Sequence, residues 1–182
     1  MKKSCITFFL LAIIFLSGLG LTILGGDDTS HKEYLRIHIR ANSNSQIDQQ
    51  VKYEIKEEVI EFLTPIIAKI TDKPSAQKLL TENLDKIEVV SKKVLVKNDF
   101  DYGVKASIKK EKFPTRTYQN LTLEAGYYDS LIIELGDGLG DNWWCVVYPP
   151  LCFTGSGANY TYRSKILEII NEFMKNKYKE EQ

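Results

Sequence analysis

Tyr34-Leu35-Arg36-Ile37-His38-Ile39-Arg40-Ala41-Asn42-Ser43-Asn44-Ser45 decides how the rest of the chain is read. Leu35, Ile37 and Ile39 alternate with Arg36, His38 and Arg40. This is the period-two pattern of a half-buried strand with its polar side chains facing outward. A structural turn at Ala41, Asn42 and Ser43 stops the strand, and the Asn and Ser side chains through Ser45 are able to cap a helix. A strand that passes at once into a helix begins a mixed domain rather than an all-α or all-β one.

Downstream of the turn, Ile47, Val51, Ile55, Val59, Phe62, Leu63, Ile66 and Ile70 recur at steps of three and four. Residues 46–70 are therefore expected to form a helix with one apolar stripe. Pro65 cannot donate a backbone hydrogen bond, so a kink or break is expected at Thr64. Lys73-Pro74-Ser75 marks a second start, and Leu79, Leu80, Leu84, Ile87, Val90, Val94 and Leu95 predict a helix over residues 75–97. From Tyr102 the period falls to two, with Val104, Ala106 and Ile108 alternating with Lys105, Ser107 and Lys109, until Phe113-Pro114-Thr115 breaks the strand. Residues 128–135 and 143–148 are β-branched and aromatic runs, and the glycine-rich stretch 136–142 between them reads as a hairpin connection. Gly155 to Gly157 is a flexible turn, and residues 162–178 are helical. The expected fold is α+β: a mostly antiparallel sheet of about four strands packed with two central helices and a C-terminal helix, forming one domain over residues 34–182.

Upstream, Lys2 and Lys3 precede an uncharged apolar run from Ser4 to Gly26, and Asp27 and Asp28 follow directly. Positive charge before and negative charge after is the orientation that exports whatever follows. The run is longer than an ordinary signal-peptide core and approaches the length of a membrane span. Residues 1–26 are thus expected to be a cleaved signal peptide or a retained membrane anchor, and residues 27–33 a polar tether to an exported domain. Of the 24 basic and 24 acidic residues, two lysines and no acid fall in the leader, which leaves the remainder at −2. A nucleic-acid partner requires a cationic surplus that this chain lacks.

Gly136-Asp137-Gly138-Leu139-Gly140 invites a nucleotide reading, but such a loop must open a helix, and here strand-forming Trp143-Trp144-Cys145-Val146-Val147 follows. Asp137, Asp141 and Asn142 lack the spacing of a calcium loop. No cofactor and no small-molecule substrate is implied. Cys5 lies in the leader, so Cys145 and Cys152 are the pair within the exported domain. An oxidising compartment and the turn-forming Pro149 and Pro150 favour a disulfide between them. Two buried thiols, or a cysteine hydrolase in which His38 activates Cys145, are the alternatives. Glu54, Glu57, Glu58 and Glu61 read as a solvated helix face. Residues 142–153 are dense in large apolar side chains. Asn142, Trp143, Trp144, Tyr148, Pro149, Pro150, Leu151 and Phe153 are candidate partner-binding residues, because Trp and Tyr dominate interface hot spots. Adjacent Trp143 and Trp144 on one strand must point to opposite faces.

Three segments resemble the stage II sporulation protein R family. They are Arg36 to Ser45, the Phe113-Pro114-Thr115-Arg116-Thr117-Tyr118 and Leu123-Glu124-Ala125-Gly126-Tyr127-Tyr128 pair, and above all Gly138 to Phe153 with its two tryptophans, two cysteines and two prolines in register. Arg40 departs from the family, which more often has an apolar residue there. The resemblance implies a non-enzymatic signal made in the forespore and exported into the space between forespore and mother cell. Its implied partner is a membrane-embedded aspartic protease of the mother cell, which removes the pro-sequence of sigma-E. An uncleaved leader would add a membrane contact, and a structural envelope protein held by that anchor is the further alternative.

Overall fold

The computed structural model describes residues 29–118, 121–154 and 160–180. The expected leader, Cys5, Asp27, Asp28 and the turn at 155–157 lie outside the described residues. Among the described residues no helix is long and apolar enough to cross a membrane. The elements run in order as a 3-10 turn at Thr29–Glu33, β1 (Leu35–Arg40), α1 (Gln46–Ile67), α2 (Lys73–Thr81), α3 (Leu84–Lys97), β2 (Val104–Phe113), β3 (Arg116–Tyr118), β4 (Leu121–Leu123), β5 (Gly126–Leu135), β6 (Asn142–Tyr148), a 3-10 turn at Leu151–Phe153, and α4 (Tyr160–Glu180).

The helices form where the apolar stripes fall, with boundaries set by side-chain caps. Ser45 begins α1, its hydroxyl accepting from the Asp48 N–H at 3.2 Å. The helix runs through Pro65 and stops at Ile67, not at Thr64 and not at Ile70. Pro65 deprives only the Glu61 carbonyl of its donor, and Glu61 is exposed, so water can take over that bond. The single helix expected over residues 75–97 is two. Asp72 and Ser75 form a reciprocal capping box at the start of α2. Asn83 ends it by donating from its side chain to the Leu79 carbonyl at 2.7 Å, and α3 starts immediately after. A short amide side chain competes with the backbone for such carbonyls, which is why one asparagine divides a continuous apolar stripe. The central helices are therefore three rather than two.

The four-stranded sheet has the order β2-β5-β1-β6. β2–β5 and β1–β6 are antiparallel, but the central β1–β5 pair is parallel, so the sheet is mixed. The hairpin expected between the last two strands does not form, because β1 lies between β5 and β6. Their connection instead crosses over the end of β1 and is fastened to the turn that follows it. Gly140 N–H donates to the Ala41 carbonyl (2.9 Å) and Leu139 N–H to the Asn42 carbonyl (3.2 Å). Asp137 N–H reaches the Asn42 side chain (2.9 Å), and Asp141 N–H reaches that of Asn44 (2.6 Å). Beneath this crossing Asp48 accepts from Asn42 (3.1 Å), Ser43 (2.5 Å) and the Tyr102 hydroxyl (2.8 Å). Burial pushes the Asp48 carboxyl up, but these bonds outweigh it and hold the group below its ordinary value. Gly140 is required here: a β-carbon would lie 2.2 Å from the Ser43 carbonyl oxygen.

One face of the sheet packs on the helices through Leu35, Ile37, Ile39, Leu131, Ile133, Leu135, Cys145 and Val147. The other face was expected to be wet. It carries a second cluster of Tyr34, Phe113, Leu121, Leu123, Tyr128 and Val146, with Tyr118, Trp144 and Phe173 against it. The small β3–β4 pair, which no strong sequence signal announced, supplies Tyr118, Leu121 and Leu123 to this layer. β1 is consequently buried on both faces, Arg36 at 0% and His38 at 1% exposure. Residues 29–33, expected as a tether, form a 3-10 turn in which His31 lies 4.3 Å from the Tyr128 ring.

Candidate functional site

β6 is an edge strand, and its pleat sends Trp143 and Trp144 to opposite sides. Trp143 packs at the margin of the helical core with the Lys56 ammonium 5.8 Å from its ring. Trp144 lies on the second face, stacked on His38 at 3.7 Å and edge-on to Phe113 at 4.6 Å. Both are half-buried, and Asn142 beside them is exposed. Tyr148 donates to the Thr71 carbonyl at 3.2 Å and meets Phe173 edge-on at 5.7 Å. Leu151 is partly buried against the second cluster. Pro149 and Pro150 are buried, and Phe153 is fully enclosed in the main core. The candidate segment thus divides: Asn142, Trp143, Trp144 and Tyr148 keep surface a partner can touch, whereas Pro149, Pro150 and Phe153 hold the segment down.

Cys145 and Cys152 form a disulfide with their α-carbons 6.2 Å apart. It folds the chain back along β6, and the Val146 N–H, which points away from β1, donates to Cys152 sulfur at 3.1 Å. The bridge therefore covers the C-terminal half of an edge that would otherwise be open. Closing an eight-residue loop is worth about 2.5 kcal/mol in the chain-entropy account. Cys145→Ser and Cys152→Ser are expected to lower unfolding free energy by similar amounts of this order in urea titrations, and reductant should remove the difference from the parent. The Cys145–His38 hydrolase does not assemble. Cys145 pairs with Ile37 and His38 with Trp144, so successive side chains place the thiol position and the imidazole on opposite faces.

Sequence reading missed the row of polar side chains on the second face. The Arg36 guanidinium lies 4.2 Å from the Phe113 ring centre and 4.8 Å from that of Tyr128, and it donates to the Tyr118 hydroxyl at 2.7 Å. Aromatic faces substitute for the carboxylate partner that a buried cation usually has. Burial pulls the Arg36 pKa below its ordinary value and raises that of Tyr118. Next along β1, His38 Nδ1 is 3.3 Å from Glu111, and Arg40 joins Glu111 to Glu134. Phe113, Tyr118 and Tyr128 were visible as strand-type residues, but nothing local linked them to Arg36. Together these groups line the second face beneath Trp144, which stacks on His38 and meets Phe113 edge-on.

The chain matches the family model described as stage II sporulation protein R (spore_II_R) over residues 31–158. It belongs to the stage II sporulation protein R family. Over 166 residues it is 36% identical to the stage II sporulation protein R of Bacillus subtilis (strain 168), an alignment that covers 84% of this chain and 72% of that relative. No solved structure matches it. The matched stretch runs from the 3-10 turn before β1 past the disulfide and ends before α4. The sheet, the crossing loop and the Trp143–Trp144 edge all fall inside it.

Proposed function

We propose that this sporulation protein is an intercellular signal, made in the forespore and exported toward the mother cell, where it activates the membrane-embedded aspartic protease that processes pro-sigma-E. Membership of the stage II sporulation protein R family carries the reading. The charge pattern around residues 1–28, positive before the apolar run and negative after it, supports export. The domain acts by binding and not by turnover. An activator must bind the active state of its target more tightly than the inactive one, because a ligand with equal affinity for both shifts nothing. The exposed rims of Trp143 and Trp144, with Asn142 and Tyr148, supply that differential contact, and the Cys145–Cys152 bridge holds it in shape.

Trp143→Ala and Trp144→Ala test this directly. Each truncation is expected to cost about 2 kcal/mol or more of binding, the scale of an interface hot spot. Pro-sigma-E processing in co-expressing cells should then fall while the exported protein stays at its normal level. Full processing by both variants at normal export would remove this surface from the mechanism.

A further inference from the structure

The opposite edge of the sheet is open along part of its length. In β2 the Ala106 N–H donates to Glu88 of α3 at 2.8 Å and so points away from β5. The β2–β5 register runs without a shift from Val104 to Phe113. In a regular antiparallel ladder, backbone groups of the same parity point the same way, so Ile108, Lys110 and Lys112 also direct N–H and C=O outward. Glu88 covers the start of this edge, and among the described residues no strand pairs beyond β2.

The charge along this edge is one-sided. Lys105, Lys109, Lys110, Lys112 and Arg116 are exposed. The neighbouring acids are engaged: Glu111 by Arg40 and His38, Glu134 by Arg40 at 2.9 Å and by Lys109 of this edge at 3.4 Å, and Asp129, opposite Lys110 in register, by Lys73 at 2.6 Å. Lys105, Lys110 and Lys112 are in no ion pair among the described residues. Lysines of this kind keep two copies of an edge from pairing. The same lysines attract a strand of opposite charge, and unpaired backbone groups give that strand its hydrogen bonds.

We propose that residues 108–112 of β2 accept an extended acidic segment of a protein partner as an added strand. The inference concerns the chemistry of that segment and does not depend on which protein carries it, nor on the Trp143–Trp144 surface. The probe is a blocked (Glu-Val)4 peptide added to the full-length chain in mild detergent, with amide hydrogen exchange as the readout. At about ten times Kd, exchange at the Ile108, Lys110 and Lys112 amides is expected to slow about tenfold. A (Gln-Val)4 peptide should protect far less. A (Glu-Val)4 peptide N-methylated at every residue keeps its charge, loses its donors on both edges and should not protect. Lys110→Glu combined with Lys112→Glu, both at exposed positions, is expected to weaken the acidic peptide by about tenfold or more. No protection by the acidic peptide overturns the proposal. So does equal protection by the N-methylated one, which would mean charge attraction alone. Protection of the same amides by phosphatidylglycerol vesicles but not by the peptide would assign the edge to a membrane surface and likewise overturn it.

Discussion

Phe153→Ala is expected to destabilise the folded domain by about 3–5 kcal/mol, the usual cost of truncating a fully enclosed phenylalanine. Phe153 has no exposure and sits in the main core with Ile166 of α4 and the α1 residues Leu63 and Ile67. It arrives there because the disulfide reverses the chain after β6 and the Leu151–Phe153 turn directs the ring inward. The residue belongs to the segment whose aromatic density suggested partner contact, so the variant separates two roles. A packing role predicts a large fall in the urea midpoint and signalling loss only in proportion to lost folded protein. A contact role predicts unchanged stability with lost signalling. A drop of less than about 1 kcal/mol would contradict the packing account.

Acidification is expected to cost about 3 kcal/mol through His38 alone. Burial against Trp144 and Phe113 pushes the His38 pKa down from 6.5 to about 4. The facing groups divide: an Asn142 hydrogen bond and Glu134 raise it, while Arg40 and Arg36 lower it, and Glu111 lies 3.3 Å from the ring. The unfolded chain takes up a proton near pH 6.5, whereas the folded chain refuses it until about pH 4. Between those values the unfolded state binds more protons, so stability declines as pH falls and the His38 contribution is fully lost below the folded pKa. Unfolding free energy measured at pH 7 and pH 4.5 should show most of this fall in the parent, and His38→Gln should show a shallower one. Equal slopes in both proteins would mean that the folded imidazole takes up its proton at the same pH as the unfolded one.

Some of this site was readable before any coordinates. The opposed directions of Trp143 and Trp144 follow from the pleat, and the proximity of Cys145 to Cys152 follows from a short proline-containing loop. The aromatic cage around Arg36 was not readable. Its rings come from β2, β3 and β5, so only their assembly brings them to one guanidinium on β1. Arg36 and His38 looked outward-facing because polar residues on alternate positions usually meet water. Here the β3–β4 pair and Trp144 cover them, and aromatic rings together with Glu111 replace the lost solvent. The division of the second helix at Asn83 was missed for a smaller reason: the apolar stripe continues through it, and only the side-chain bond to Leu79 reveals the stop.

Local periodicity by itself determined the main strands and helices and the apolar face that each turns to the helical core, because those depend on side-chain direction over a few positions. Only the tertiary structure decided that β1 enters between β5 and β6, making the central pair parallel and burying Arg36 and His38. The six residues from 136 to 141 span one strand spacing of about 4.8 Å or two with equal ease. Their length therefore cannot choose between a hairpin and a crossing. The choice falls to contacts distant in sequence, the hydrogen bonds that Ala41, Asn42 and Asn44 accept from the crossing loop.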